Sequence, residues 1–139
     1  MPNKINVLLV DDEKIYLENL AMMLRRKGMS VCTASDGEEA IKCLEQEEFD
    51  AVVLDVRMPK MDGVTALHAI KQLKPLTPVL LLTGGGVELS RMTQALKCGT
   101  SDILLKPCPI ETIISAIENA SERKAIACEL KAHDEPGLS

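Results

Sequence analysis

Short apolar runs alternate along this chain with segments of helical period, and that alternation leaves few folds open. The runs are Ile5–Val10, Ser30–Ala34, Ala51–Leu54, Pro78–Thr83 and Asp102–Leu105. Ile5–Val10 is apolar at nearly every position, as in a strand covered on both faces. Between the runs, apolar residues recur at helical spacing: Leu17, Leu20, Ala21 and Leu24; Ala40, Ile41 and Leu44; Ala66, Ile70 and Leu73; Leu89, Met92 and Leu96. The last helical segment is predicted from Pro107 to about Lys131, with Ile110, Ile113, Ile114 and Ile117 inward. Gly28, Lys74-Pro75 and Gly99 stand where helices should end, and Asp62 where one should be capped. Five strands alternating with five helices predict an α/β fold, a doubly wound five-stranded parallel sheet.

The ends of the strands carry the chemistry. Ile5–Val10 runs into Asp11-Asp12, and the run from Ala51 ends in Asp55. A carboxylate is costly inside a core and belongs where a strand emerges. Thr83 and Lys106 end two further strands. In open parallel sheets the ligand site lies outside the carboxyl ends of the strands, so these residues are expected at one edge. Three clustered acids repel one another unless a cation sits among them. A hard cation such as Mg²⁺ prefers oxygen ligands of this kind. A cation, an ammonium and a hydroxyl converging on one carboxylate suit a phosphoryl group beside it, with the carboxylate as nucleophile. Mg²⁺ and Lys106 would each take one phosphoryl oxygen, and Thr83 and the Gly84 amide the third. Each residue alone has a plainer reading, as a helix cap, a loop acid, a strand end or a solvated charge. Their coincidence at four strand ends favours the shared site.

Composition removes other classes. With 139 residues the chain suits one domain. A formal net charge of −5 disfavours direct nucleic-acid binding. The one basic run, Arg25-Arg26-Lys27, sits where cations complement a helix C-terminus. Aromatics are 1% of the chain, so the core must be aliphatic. The cysteines number 5 and show no Cys-x-x-Cys spacing, which points to reduced thiols rather than a zinc site or a disulfide framework. No signal-peptide pattern and no apolar stretch of membrane-spanning length is present, so a cytoplasmic protein that does not contact the membrane is expected.

The ordered series Val10-Asp11-Asp12-Glu13, Asp55-Val-Arg-Met58-Pro59-Lys-Met-Asp62-Gly63, Thr83 and Lys106-Pro107 resembles the receiver domain of two-component response regulators. The likeness covers roughly residues 4–120 and implies a flavodoxin-like fold with strand order 2-1-3-4-5. It implies that Asp55 accepts a phosphoryl group from a sensor histidine kinase. It implies Mg²⁺ held by Asp12, Asp55 and the backbone carbonyl of Arg57, with Asp11 acting through water. Lys106 would contact the phosphoryl group, the Lys106-Pro107 peptide would be cis, and Thr83 would move toward the phosphoryl group. The family's aromatic residue three positions before the lysine is replaced here by Ile103, so an aromatic swing is ruled out. Gly84, Gly85 and Gly86 form a permissive loop after Thr83 that is expected to carry the switch instead. Gly85 offers no cover against water, which points to a short phosphoryl lifetime.

Residues 1–121 are expected to form the receiver, and 122–139 a helical extension with a disordered tail. Ile126 and Leu130 fall on the face opposite Ile117 and suit a contact with a second subunit. An output domain or a downstream protein would receive the signal. Two rival readings are an interaction-only receiver and a Mg²⁺-dependent aspartyl phosphatase. The first would lack Asp12, Asp55 or Lys106; the second would want an acid where Arg57 stands.

Overall fold

The computed structural model describes residues 4–55, 63–83 and 102–133, with the side chains of Val64, Ala132 and His133 left aside. The strands are β1 (Asn6–Val10), β2 (Ser30–Ala34), β3 (Ala51–Asp55), β4 (Val79–Thr83) and β5 (Asp102–Leu105). The helices are α1 (Lys14–Arg26), α2 (Gly37–Gln46), α3 (Gly63–Leu73) and α4 (Ile110–His133). All strand pairings are parallel, in the order β2-β1-β3-β4-β5. This is the flavodoxin-like order that the family resemblance implies. The predicted helix over Leu89–Leu96, the Asp62 cap, Arg57 and Gly84–Gly86 lie outside the described residues.

Alternation along the strands divides the core. Val7, Leu9, Ala51, Val53, Leu80, Leu82 and Leu104 face one side and pack with α1 and α4. Leu8, Val10, Val52, Leu54, Val79 and Leu81 face the other and pack with α2 and α3. Successive side chains of a strand point to opposite faces, so this parity fixes the register. Phe49 is fully buried in the second cluster, and the rest of the core is aliphatic.

Local chemistry explains the helix boundaries. Asp36 caps α2, its carboxylate accepting from the Glu39 N–H at 2.9 Å. Glu39 reaches back to accept from the Ser35 N–H at 3.0 Å. The two bonds satisfy donors that the first turn cannot. α1 stops at Gly28, whose φ of 91° is a left-handed conformation that suits glycine. The Gly28 N–H donates to Arg25 O and the Met29 N–H to Leu24 O, closing the helix in a Schellman motif. α4 begins later than the sequence predicts, at Ile110 rather than Pro107. Pro109 disfavours a helical residue before it, and its carbonyl accepts the Thr112 and Ile113 amides, so the helix starts after it.

Candidate functional site

The strand register brings the polar ends together. Val10 pairs with Leu54, Asp55 with Leu82 and Thr83 with Leu105. Asp11 and Lys106 each extend their strand by one residue. The Asp11 N–H donates to Ala34 O, and the Lys106 N–H to Thr83 O at 2.7 Å. Asp55 shares parity with Ala51 and Val53, which face α1 and α4. Asp11 continues the parity of Val7 and Leu9, and Lys106 that of Leu104. Three separate strands thus send charged residues to the α1 side of one edge.

Carboxylate oxygens of Asp11, Asp12 and Asp55 lie within 4.8 Å of one another. Asp11 and Asp55 are buried, while Asp12 is exposed. The Lys106 Nζ donates to Asp55 Oδ2 at 3.2 Å and to Asp11 Oδ2 at 3.4 Å. Glu13 Oε1 stands 4.0 Å from the same ammonium. Asp11 Oδ1 accepts the Glu13 N–H at 3.0 Å, which fixes the turn into α1.

Electrostatics records the crowding. Burial pushes the Asp11 carboxyl up to about 6; the Glu13 amide opposes this and the Asp55 charge adds to it. Burial alone would lower the Lys106 ammonium, but Asp55 and Asp11 together outweigh it and hold it above its ordinary value. The donors are all hard oxygens and one is reluctant to ionise. Such a set fits a small divalent cation.

Thr83 ends β4 at the same edge of the sheet but on the opposite parity from Asp55 and Lys106. It is buried, follows the parity of Val79 and Leu81 on the α2–α3 side, and is tied to Lys106 through its carbonyl. Ile103 lies half-buried on that same side. The Lys106-Pro107 peptide is cis.

Sequence reasoning assigned no role to Tyr16, whose ring centroid is 5.1 Å from the Lys106 Nζ. One signal was available: Tyr16 follows Asp12 by four residues, within the first turn of α1. Glu13, read only as part of a motif, also faces Lys106.

The response regulator receiver domain family matches residues 7–118. The chain belongs to that family. Among solved structures, a response regulator receiver domain from Clostridium thermocellum is 34% identical with a TM-score of 0.83, the match covering 88% of this receiver and 98% of that chain. A response regulator from Burkholderia pseudomallei, solved with a phosphorylated aspartic acid, a calcium ion and citrate, is 29% identical with a TM-score of 0.77, covering 95% and 76%. Among curated relatives, the alkaline phosphatase synthesis transcriptional regulatory protein PhoP of Bacillus subtilis is 37% identical over 94% of this chain. The transcriptional regulatory protein ZraR of Escherichia coli is 37% identical over 85%. The receiver spans 55% of the first relative's length and 26% of the second's. Receivers are signalling domains of two-component systems. Among the described residues, no helix is long and apolar enough to cross a membrane.

Proposed function

We propose that this receiver is a phosphoacceptor and that Asp55 is the residue phosphorylated. The observation that carries the reading is the placement of Asp55: it shares the Lys106 ammonium with Asp11 inside a cluster of three acids. In the reaction, an Asp55 carboxylate oxygen bonds to phosphorus as the bond from phosphorus to a histidine nitrogen of a sensor kinase breaks. That nitrogen takes up a proton, and an aspartyl phosphate remains. The Lys106 ammonium neutralises one phosphoryl oxygen, and the Thr83 hydroxyl binds another with the Gly84 amide. Asp12, Asp55 and the Arg57 carbonyl would hold Mg²⁺, with Asp11 acting through water. When bound, the metal would supply positive charge to the phosphoryl oxygens. Water later cleaves the aspartyl phosphate, so the domain's chemistry is confined to its own phosphorylation and dephosphorylation. The phosphorylated aspartic acid and bound cation of the Burkholderia pseudomallei relative support this reading by likeness.

The switch falls to Thr83 and the Gly84–Gly86 loop, because Ile103 offers no aromatic ring to swing. Hydrogen exchange at residues 84–86 should change on phosphorylation; unchanged exchange would refute this part. The signal passes to an output domain or a downstream protein, as the curated regulators suggest by name. Residues 1–121 form the receiver in this reading and 122–139 its extension. Ile126 and Leu130 are 55% and 59% exposed on α4, and a second copy of the chain is the proposed partner. Lys124 in the same segment donates to Phe49 O, so point changes test this better than truncation. Ile126→Ser with Leu130→Ser should lower the dimer fraction in sedimentation.

Intact mass after incubation with acetyl phosphate and Mg²⁺ tests the main claim. One phosphoryl group should appear, and it should vanish with EDTA or in Asp55→Asn. An adduct that persists in Asp55→Asn would overturn the assignment.

A further inference from the structure

We infer that Tyr16 is a positioning residue for Lys106, its ring face confining the ammonium to the space above Asp55. The inference rests on the phosphoacceptor reading for its consequence, but not for its geometry.

Lysine is a poor pointer. Its ammonium is a compact charge on a flexible four-carbon stem, and holding it still costs rotamer entropy. In this fold the stem is fixed at its base, where the Lys106 N–H donates to Thr83 O. The far end is held by two carboxylate oxygens and by the Tyr16 ring, 5.1 Å away. Glu13 stands at 4.0 Å but is 70% exposed, so it contributes little confinement. Asp11 and Asp55 attract the ammonium from the strand ends. Tyr16 adds an uncharged ring face over the same ammonium.

A ring face suits this task for a physical reason. Its attraction for a cation is electrostatic and carries no hydrogen-bond direction. The ammonium must leave Asp11 for a phosphoryl oxygen when the aspartyl phosphate forms. A hydrogen-bonding wall would resist that movement, whereas a ring face lets the ammonium slide while keeping it from open water. Tyr16 is seated firmly enough to act as such a wall. It is half-buried, and it packs against the cluster that contains Leu17 and Leu20. The hydroxyl plays no part in this role, so the ring should suffice.

The chain holds 1 tyrosine and no tryptophan, which makes the test clean. The Lys106 ε-methylene protons should show an upfield ring-current shift in the native protein. Tyr16→Phe should keep that shift, and its phosphoryl uptake from acetyl phosphate should stay within about twofold of wild type. Tyr16→Leu should lose the shift, and its uptake should slow by about three- to tenfold. Tyr16→Met serves in place of leucine if that variant fails to fold, as judged by its melting curve. No ring-current shift in wild type, or full-speed uptake in a folded Tyr16→Leu, would overturn the inference. If wild type takes up no phosphoryl group at all, the phosphoacceptor reading fails. The ring-current shift then still decides whether Tyr16 confines Lys106.

Discussion

The two ends of the sheet treat charge in opposite ways. At the amino end, Glu48 lies between two lysines, with Lys74 against one oxygen and Lys124 3.5 Å from the other. Nearby, the Asn6 N–H donates to Asp50 Oδ2 at 2.8 Å and its side-chain amide to Glu48 O at 2.7 Å. One acid there is shared by two cations, and the Lys74 hydrogen bond holds the Glu48 carboxyl below its usual range. At the carboxyl end, three acids cluster and one lysine bridges two of them, and burial drives Asp11 upward. The first arrangement ties loops together and is complete as it stands. The second carries an excess of negative charge that a bound cation would relieve. A fold can therefore keep balanced charge for structure at one end and unbalanced charge for chemistry at the other.

The sharpest way to break the comparison is to remove one lysine from each end. Lys106→Ala should slow phosphoryl uptake by a factor of about 100 or more, the usual cost of losing one preorganised charge donor at a reacting group. Lys74→Ala should leave uptake unchanged and lower stability by less than about 1 kcal/mol, since Glu48 is well exposed. Equal effects on uptake would erase the distinction.

Removing an acid should also act in opposite directions. Asp11→Asn relieves repulsion and the burial of a charge, so in EDTA it should stabilise the protein to urea by about 1–2 kcal/mol, while weakening the response to Mg²⁺. Glu48→Gln should destabilise by up to about 1 kcal/mol and leave that response intact.

The pH dependence sharpens the point. A folded Asp11 whose pKa is raised from 3.8 to about 6 binds its proton more tightly than the unfolded chain does. Its contribution to stability in EDTA therefore falls as pH rises from near 4 to near 6. Glu48 has the opposite sign, its contribution being lost as pH falls, and its exposure makes it the smaller term. Added Mg²⁺ competes with the Asp11 proton, so the Mg²⁺-induced rise in melting temperature should grow between about pH 5 and pH 7. Thermal unfolding across that range, with Asp11→Asn as reference, measures both effects.

Much of this was legible in the sequence because the fold is built from local signals. Continuous apolar runs specify buried strands, and a carboxylate at the end of such a run can only sit at the sheet edge. The positions of Asp11, Asp12, Asp55 and Lys106 follow from that rule together with the parallel topology. The order of the strands came from the family resemblance, since periodicity alone leaves several orders open. The predicted start of α4 at Pro107 differs from the observed Ile110 because apolar spacing alone does not show that the chain enters the helix only after Pro109. Tyr16 carries no motif of its own, and its spacing of four residues from Asp12 is a weak signal. Its contact with Lys106 joins distant parts of the chain, and the spacing from Asp12 does not identify the lysine as its partner.

The most direct measurement is chemical localisation of the phosphoryl group. The protein would be incubated with acetyl phosphate and Mg²⁺, reduced with borohydride to convert any aspartyl phosphate to homoserine, and sequenced by peptide mass spectrometry. The charge imbalance at the carboxyl end predicts conversion at Asp55 alone, and none when EDTA is present. Conversion at Asp11 or Asp12, or equal conversion without the metal, would contradict it.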